Sequence, residues 1–147
     1  MAETLGSLCD KLTIVKLKQY HTVDQGRLSS LSIQEKQLAA EINDFIADAL
    51  NGLIPLNQLT FKANKVFKQQ GNEVQDVQGS IGEVFAELAQ ANCELWHEQE
   101  KVYEFETVIP ADKDKVVKQL AILNLKRNKC IDNIDTNFTS LVANKQQ

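Results

Sequence analysis

Residues 110–142, PADKDKVVKQLAILNLKRNKCIDNIDTNFTSLV, decide the fold of this chain. Apolar residues recur in it with strict heptad spacing, and Pro110 is a favoured first residue of a helix. The pattern predicts one long helix, about 110–142, with a single face packed against other helices. The stripe that the heptads define is Val117, Leu120, Asn124, Arg127, Ile131, Ile134, Phe138 and Leu141.

Three further segments, about 4–21, 25–51 and 80–105, also carry apolar residues at helical spacing. Gly52 is a typical stop after the second of them. Ser80, followed three residues later by Glu83, is typical of a capping box that opens the third. Four long helices with few breakers predict an all-α protein, an antiparallel four-helix bundle that occupies residues 1–147 as a single domain.

The segment of about 53–80 is irregular and carries no clear periodicity. It is too long for a bare linker, so we expect a crossover segment that lies across the bundle. Phe61, Val66 and Phe67 are its candidate core anchors, and Gly71 and Gly79 mark loops.

Composition and charge exclude several classes of function. The chain is 43% apolar and 24% charged, as globular domains are, and its net charge of −4 disfavours a nucleic-acid binder. Because of this charge, a nucleic acid is not expected as a partner. No leader segment and no apolar run long enough for a membrane span is apparent, so a membrane is not expected as a partner either. Three widely spaced cysteines, Cys9, Cys93 and Cys130, suit free thiols in a cytoplasm.

Polar residues interrupt the apolar faces at a few positions. Asn124 and Arg127 lie in the stripe of the last helix, and Asn92 lies in that of the third. Such groups are costly to bury unless they bond one another or bind a ligand. Two interpretations stay open: an internal network that fixes helix register, or a polar pocket between helices for an anionic small molecule. The candidate ligand-binding residues are Asp10, Lys11, Lys16, Asn92, Trp96, Glu98, Asn124, Arg127 and Asn128.

Motifs that would indicate an enzyme are weak. The chain has no glycine-rich phosphate loop and no nucleophile elbow. Glu94 and His97 form a Glu-x-x-His pair, but the second copy that a di-iron bundle needs is missing. No catalytic residue, metal ligand or cofactor is therefore expected, although a metal-dependent phosphohydrolase using Glu94, Glu98 and Asp132 remains an alternative.

Three segments together carry a family resemblance. They are Asp10-Lys-Leu-Thr-Ile14, Asn92-Cys-Glu-Leu-Trp-His-Glu98 and Asn124-Leu-Lys-Arg-Asn128 with the residues that follow to Asp135. The chain resembles a group of small helical bacterial and phage proteins that form a domain of unknown function, and its length is more similar to the phage members. The resemblance implies a helical fold without an established activity. The setting of the bacterial members among cell-surface glycan genes would indicate nucleotide sugars.

These observations lead to two main hypotheses of function. The first is a non-enzymatic binding protein, expected as a homodimer, that holds a nucleotide, a cyclic nucleotide or a nucleotide sugar; in a phage it would be an accessory or counter-defence protein. The second is a protein-interaction or inhibitor module. Its acidic segment 76–106, with eight carboxylates against Lys101 alone, would face a basic protein partner.

Overall fold

The computed structural model describes residues 2–64 and 76–146, and in them it confirms the all-α class with four long helices. Short 3₁₀ turns cover Leu56–Gln58, Lys62–Asn64 and Phe105–Thr107. The long helices are α1 (Leu5–His21), α2 (Gln25–Leu50), α3 (Ile81–Tyr103) and α4 (Pro110–Lys145). None of these four is both long and apolar enough to cross a membrane.

The ends of the helices follow from local sequence. Thr4 and Ser7 form a reciprocal capping box before α1, with N–H to Oγ distances of 2.8 and 3.2 Å. The Oγ of Ser80 accepts the Glu83 N–H at 3.4 Å before α3, so half of the predicted capping box is present. Gly52, at a φ of 75°, ends α2 in a Schellman motif, because its N–H bonds to Ala49 and the next N–H bonds to Asp48.

The helices run alternately up and down. α1 is antiparallel to α2 and to α4, and it runs in the same direction as α3. The most extensive packing joins α3 to α4, followed by α1 to α2. α1 also contacts both α3 and α4, so it connects α2 to the α3–α4 pair.

The apolar core is concentrated at the end of the bundle where α1 begins. Leu59 from the irregular segment is fully buried there, in one cluster with Ala49 of α2 and Val84 of α3. The described flanks of the segment therefore close one end of the bundle. Phe61 is half-buried, whereas the predicted anchors Val66 and Phe67 lie outside the described residues. A smaller cluster of Leu8, Val15 and Leu38 joins α1 to α2.

The strict heptad register predicted for α4 holds from Ile131 to Phe138 and fails on both sides of that stretch. Ile131, Ile134 and Phe138 are buried, but Val117 and Leu141 are each 57% exposed, and Val116 and Val142 are buried in their place. A straight helix has 3.6 residues per turn, so its buried face drifts by about 20° per heptad away from a 3.5-residue repeat. Over the 24 residues from Val117 to Leu141 the drift amounts to about 70°, in the direction that favours Val116 and Val142 as the buried positions. Asn124, a polar position of the predicted stripe, is exposed as well.

Candidate functional site

An ion pair joins α1 to α4 near the middle of the bundle. Asp10 is 5% exposed, and its carboxylate accepts two hydrogen bonds from Arg127, from Nε to Oδ1 at 2.8 Å and from Nη2 to Oδ2 at 2.5 Å. These hydrogen bonds raise the pKa of Arg127 above its ordinary value. The side chain of Arg127 keeps 33% of its surface exposed, so the pair is buried on the Asp10 side and reaches solvent on the other.

Asn92 brings α3 into the same network. Its Nδ2 donates to Oδ1 of Asp10 at 2.9 Å and to Oγ1 of Thr13 at 2.7 Å. The hydroxyl of Thr13 in turn donates to the backbone oxygen of Asp10 at 2.7 Å. Asn92 is 1% exposed, and its Oδ1 has no hydrogen-bond partner. Three helices thus meet at one carboxylate, with a single buried acceptor left unsatisfied.

A second buried carboxylate positions the start of α1. Oδ1 of Asp135 accepts the Gly6 N–H at 2.7 Å, where the first turn of α1 presents N–H groups without partners inside the helix. The two helices approach so closely here that a Cβ on Gly6 would lie 2.5 Å from the Ile131 carbonyl oxygen. Gly6 therefore sets the distance between α1 and α4, and with it the position of Asp10 four residues later.

A groove of about 570 Å³ lies between α1 and α3, beside this network. Its apolar wall on α3 is a row of side chains four residues apart, Phe85, Ala89 and Cys93, and α1 adds Leu17. Its volume falls within the range of 300–1,000 Å³ that is usual for small-molecule sites. The residues that complete the lining are Thr13, Lys16, Tyr20, His21 and His97.

The two histidines of the chain meet at one end of the groove. The ring of His21 stacks on Trp96 with centroids 4.8 Å apart and planes 8° from parallel, and the His97 ring lies edge-on at 6.2 Å. Nε1 of Trp96 donates to Oε1 of Glu100 at 2.9 Å. The groove therefore combines an apolar wall with a rim of imidazoles and the Lys16 ammonium group, which pairs with Glu35 at 3.0 Å.

The structure brings some of the sequence-predicted site residues together and separates others. Asp10, Asn92 and Arg127 form the network, Lys16 lines the groove, and Trp96 contacts the lining residue His21. The remaining four lie elsewhere. Lys11 pairs with Glu3, Glu98 with Lys101, Asn128 with the backbone oxygen of Asn124, and Asn124 itself is exposed.

Glu98 belongs to a different concavity, of about 540 Å³, at the turn between α3 and α4. Its charged lining residues are paired with each other, Glu98 with Lys101 at 2.9 Å and Asp112 with Lys115 at 3.7 Å. Glu94 accepts a hydrogen bond from Gln90 at 3.0 Å. In the part of the chain that the structure describes, no three His, Cys, Asp or Glu side chains are grouped as metal ligands would be.

Sequence reasoning did not assign Thr13, His21 and His97 to the site. The signal was present on α3, where Phe85, Ala89, Cys93 and His97 follow one another at four-residue steps and so share one ridge. No comparable signal marks Thr13, whose role depends on Asn92, which lies 79 positions further along the chain.

Comparisons with known proteins add no relative. No protein-family model, no curated protein and no solved structure matches this chain. The resemblance to the bacterial and phage group therefore stays a prediction.

Proposed function

We propose that this protein is a non-enzymatic binding protein whose groove between α1 and α3 holds an amphipathic small anion. The observation that carries the proposal is the combination, in one groove of suitable volume, of an apolar wall with the Lys16 ammonium group at its edge. Leu17, Phe85 and Ala89 offer contact to a flat apolar body, while Lys16 stands at the rim with an ammonium group. Apolar linings with a few polar groups that orient the ligand are what small-molecule sites share.

The proposal places the anion at Lys16 rather than at Arg127. The guanidinium of Arg127 is held by the Asp10 carboxylate, which neutralises its charge and occupies one of its two-donor edges. Lys16 pairs with the partly exposed Glu35, and its side chain is 58% exposed. An exposed pair of this kind contributes little to stability, so an incoming anion exchanges it at little cost.

A flat aromatic carboxylate, 2-naphthoate, is a direct probe of the groove. We expect it to bind with the apolar ring on the α3 wall, to protect the Cys93 thiol from N-ethylmaleimide, and to change the fluorescence of Trp96, the single tryptophan. Isothermal titration calorimetry would give the affinity, and intact-mass spectrometry would give the rate of alkylation at Cys93.

A matched pair of variants locates the binding. Ala89→Phe fills the groove, whereas Ala86→Phe adds the same ring to an exposed position three residues away on the same helix. We expect Ala89→Phe to abolish binding of 2-naphthoate and Ala86→Phe to leave it within about twofold, as surface substitutions usually do. No binding to the wild type, or equal losses in both variants, would refute the proposed site.

A further inference from the structure

The side-chain amide of Asn92 is bonded at one end only. Its Nδ2 has both donors engaged, by Asp10 and by Thr13, while Oδ1 has less than 1 Å² of exposed surface and no partner. A buried acceptor left without a donor is unfavourable, and native proteins keep few of them. The unsatisfied oxygen therefore marks a position where a donor from outside this network is expected.

The amide cannot relieve the deficit by turning over. A flip would place Oδ1 against the Asp10 carboxylate, whose oxygens are acceptors only, and would remove the donor that Asp10 now receives from Asn92. Thr13 has no donor to offer either, because its single hydroxyl proton goes to the backbone oxygen of Asp10. Both neighbours of the amide nitrogen hold Asn92 in the orientation that leaves Oδ1 unbonded.

Asn92 lies against the groove described above. Thr13, to which it is bonded, lines the groove, and so do Ala89 and Cys93, three residues before it and one residue after it on α3. Because Oδ1 is sealed from solvent, a side chain of this wall has to rotate before a bound molecule reaches it. The groove is therefore the space from which we expect a bound molecule to supply the donor.

We infer that the ligand class of the groove is an aromatic anion that also carries an O–H or N–H donor, which bonds to Oδ1 of Asn92 while the anionic group lies at Lys16. This inference rests on the proposed function. Apolar contact alone discriminates poorly among flat ligands, whereas a buried acceptor disfavours an analogue that lacks the donor. Hydroxylated or amino-substituted aromatic acids and nucleotides with an exocyclic amine share this chemistry.

Three probes of one shape test the donor. They are 2-naphthoate, 6-hydroxy-2-naphthoate and 6-methoxy-2-naphthoate, and the last keeps the oxygen but lacks the proton. We expect the hydroxy acid to bind about 5- to 20-fold more tightly than the methoxy acid, as one hydrogen bond to a buried acceptor allows. In NMR spectra of the wild type, the side-chain carbonyl carbon of Asn92 should shift with the hydroxy acid and not with the methoxy acid.

The outcomes separate this inference from the proposed function. If none of the three probes binds, the proposed function fails and this inference fails with it. If all three bind with equal affinity and the Asn92 carbon does not move, the groove is a binding site but its ligand needs no donor. In Asn92→Leu the preference for the hydroxy acid over the methoxy acid should disappear; the NMR arm uses the unaltered protein and decides the matter even if that variant does not fold.

Discussion

The guanidinium of Arg127 on α4 donates two hydrogen bonds to the carboxylate of Asp10 on α1, although 116 residues separate the two in the chain. The internal network that the sequence left open as one interpretation is therefore present. Asp10, rather than Arg127, is its centre, because the carboxylate also accepts a hydrogen bond from Asn92. The pair joins α1 to α4 across the bundle.

Removing Arg127 should destabilise the bundle. Arg127→Ala leaves the buried Asp10 carboxylate without its charged partner, and breaking such a pair costs about 3–5 kcal/mol when fully buried. Because the Arg127 side chain is 33% exposed, we expect about 2–3 kcal/mol, measured by urea unfolding. Asn124→Ala, an exposed change one turn earlier on α4, should stay within about 0.5 kcal/mol. Equal effects of the two variants would mean that the pair contributes little.

Replacement by alanine should change the stability in opposite directions at two glycines. Gly6→Ala places a methyl group 2.5 Å from the Ile131 carbonyl oxygen, so α1 has to move away from α4 at a cost of about 1–3 kcal/mol. Gly82→Ala, near the start of α3, meets nothing within 4 Å and should stabilise by up to about 1 kcal/mol. Thermal melting of both variants checks the prediction, and a Gly6→Ala protein as stable as the wild type would contradict the close approach.

Stability should fall in alkaline solution because of two core thiols. Burial raises the pKa of Cys9 and of Cys130 from 9.0 to about 11. Between pH 9 and 11 the unfolded chain loses these protons and the folded chain keeps them, so the free energy of unfolding decreases as pH rises. We expect a loss on the order of 2 kcal/mol by pH 10 relative to pH 8.

The matched control is the Cys9→Ala, Cys130→Ala double variant, which should show a smaller decrease over the same pH range in urea unfolding. At pH 8, the same two thiols should resist N-ethylmaleimide in the native protein while the half-buried Cys93 reacts. If the free energy of unfolding falls with pH equally in the wild type and in the double variant, groups other than these two thiols cause the decrease.

Lys16 should contribute to binding and Lys18 should not. Lys16→Ala removes the ammonium group at the groove rim, and we expect the affinity for 2-naphthoate to fall about two- to fivefold, as a partly exposed ion pair allows. Lys18 is not part of the groove lining, so Lys18→Ala controls for net charge. If salt up to 0.5 M does not narrow the difference between these variants, a direct ionic contact at Lys16 is excluded.

The sequence was sufficient for the helices and for part of the network. The spacing of apolar residues placed Arg127 of α4 and Asn92 of α3 on inward-facing stripes. A polar residue in such a stripe needs a hydrogen-bond partner. The identity of that partner depends on how α1 and α4 are set against each other, which Gly6 determines by contact and not by periodicity. The heptad rule failed at Val117 and Leu141 because α4 is long enough for the drift of its buried face to matter.

The groove could not be predicted because it is a property of the space between two helices. Nothing in the sequence marks Ala89 as part of a site, yet its small side chain helps to form the concave wall of the groove. His21 and Trp96 meet across 75 positions of chain, and neither one signals the other. The spacing of apolar residues in the sequence indicates which face of a helix is turned inward. It does not indicate how deep the gap between two packed helices is.

The larger apolar cluster of the described residues lies at the end of the bundle where α1 begins. Leu59, Val84 and Ile134 are fully buried at one end, whereas Tyr20 and Val23 at the other end are 84% and 92% exposed. Backbone amides near the α1–α2 turn should therefore exchange with deuterium by local opening, long before those that surround Ile134. Tyr20, His21 and His97 line the groove at this less buried end. We therefore expect a ligand to enter the groove by local opening of this end, while the amides around Ile134 stay protected from exchange.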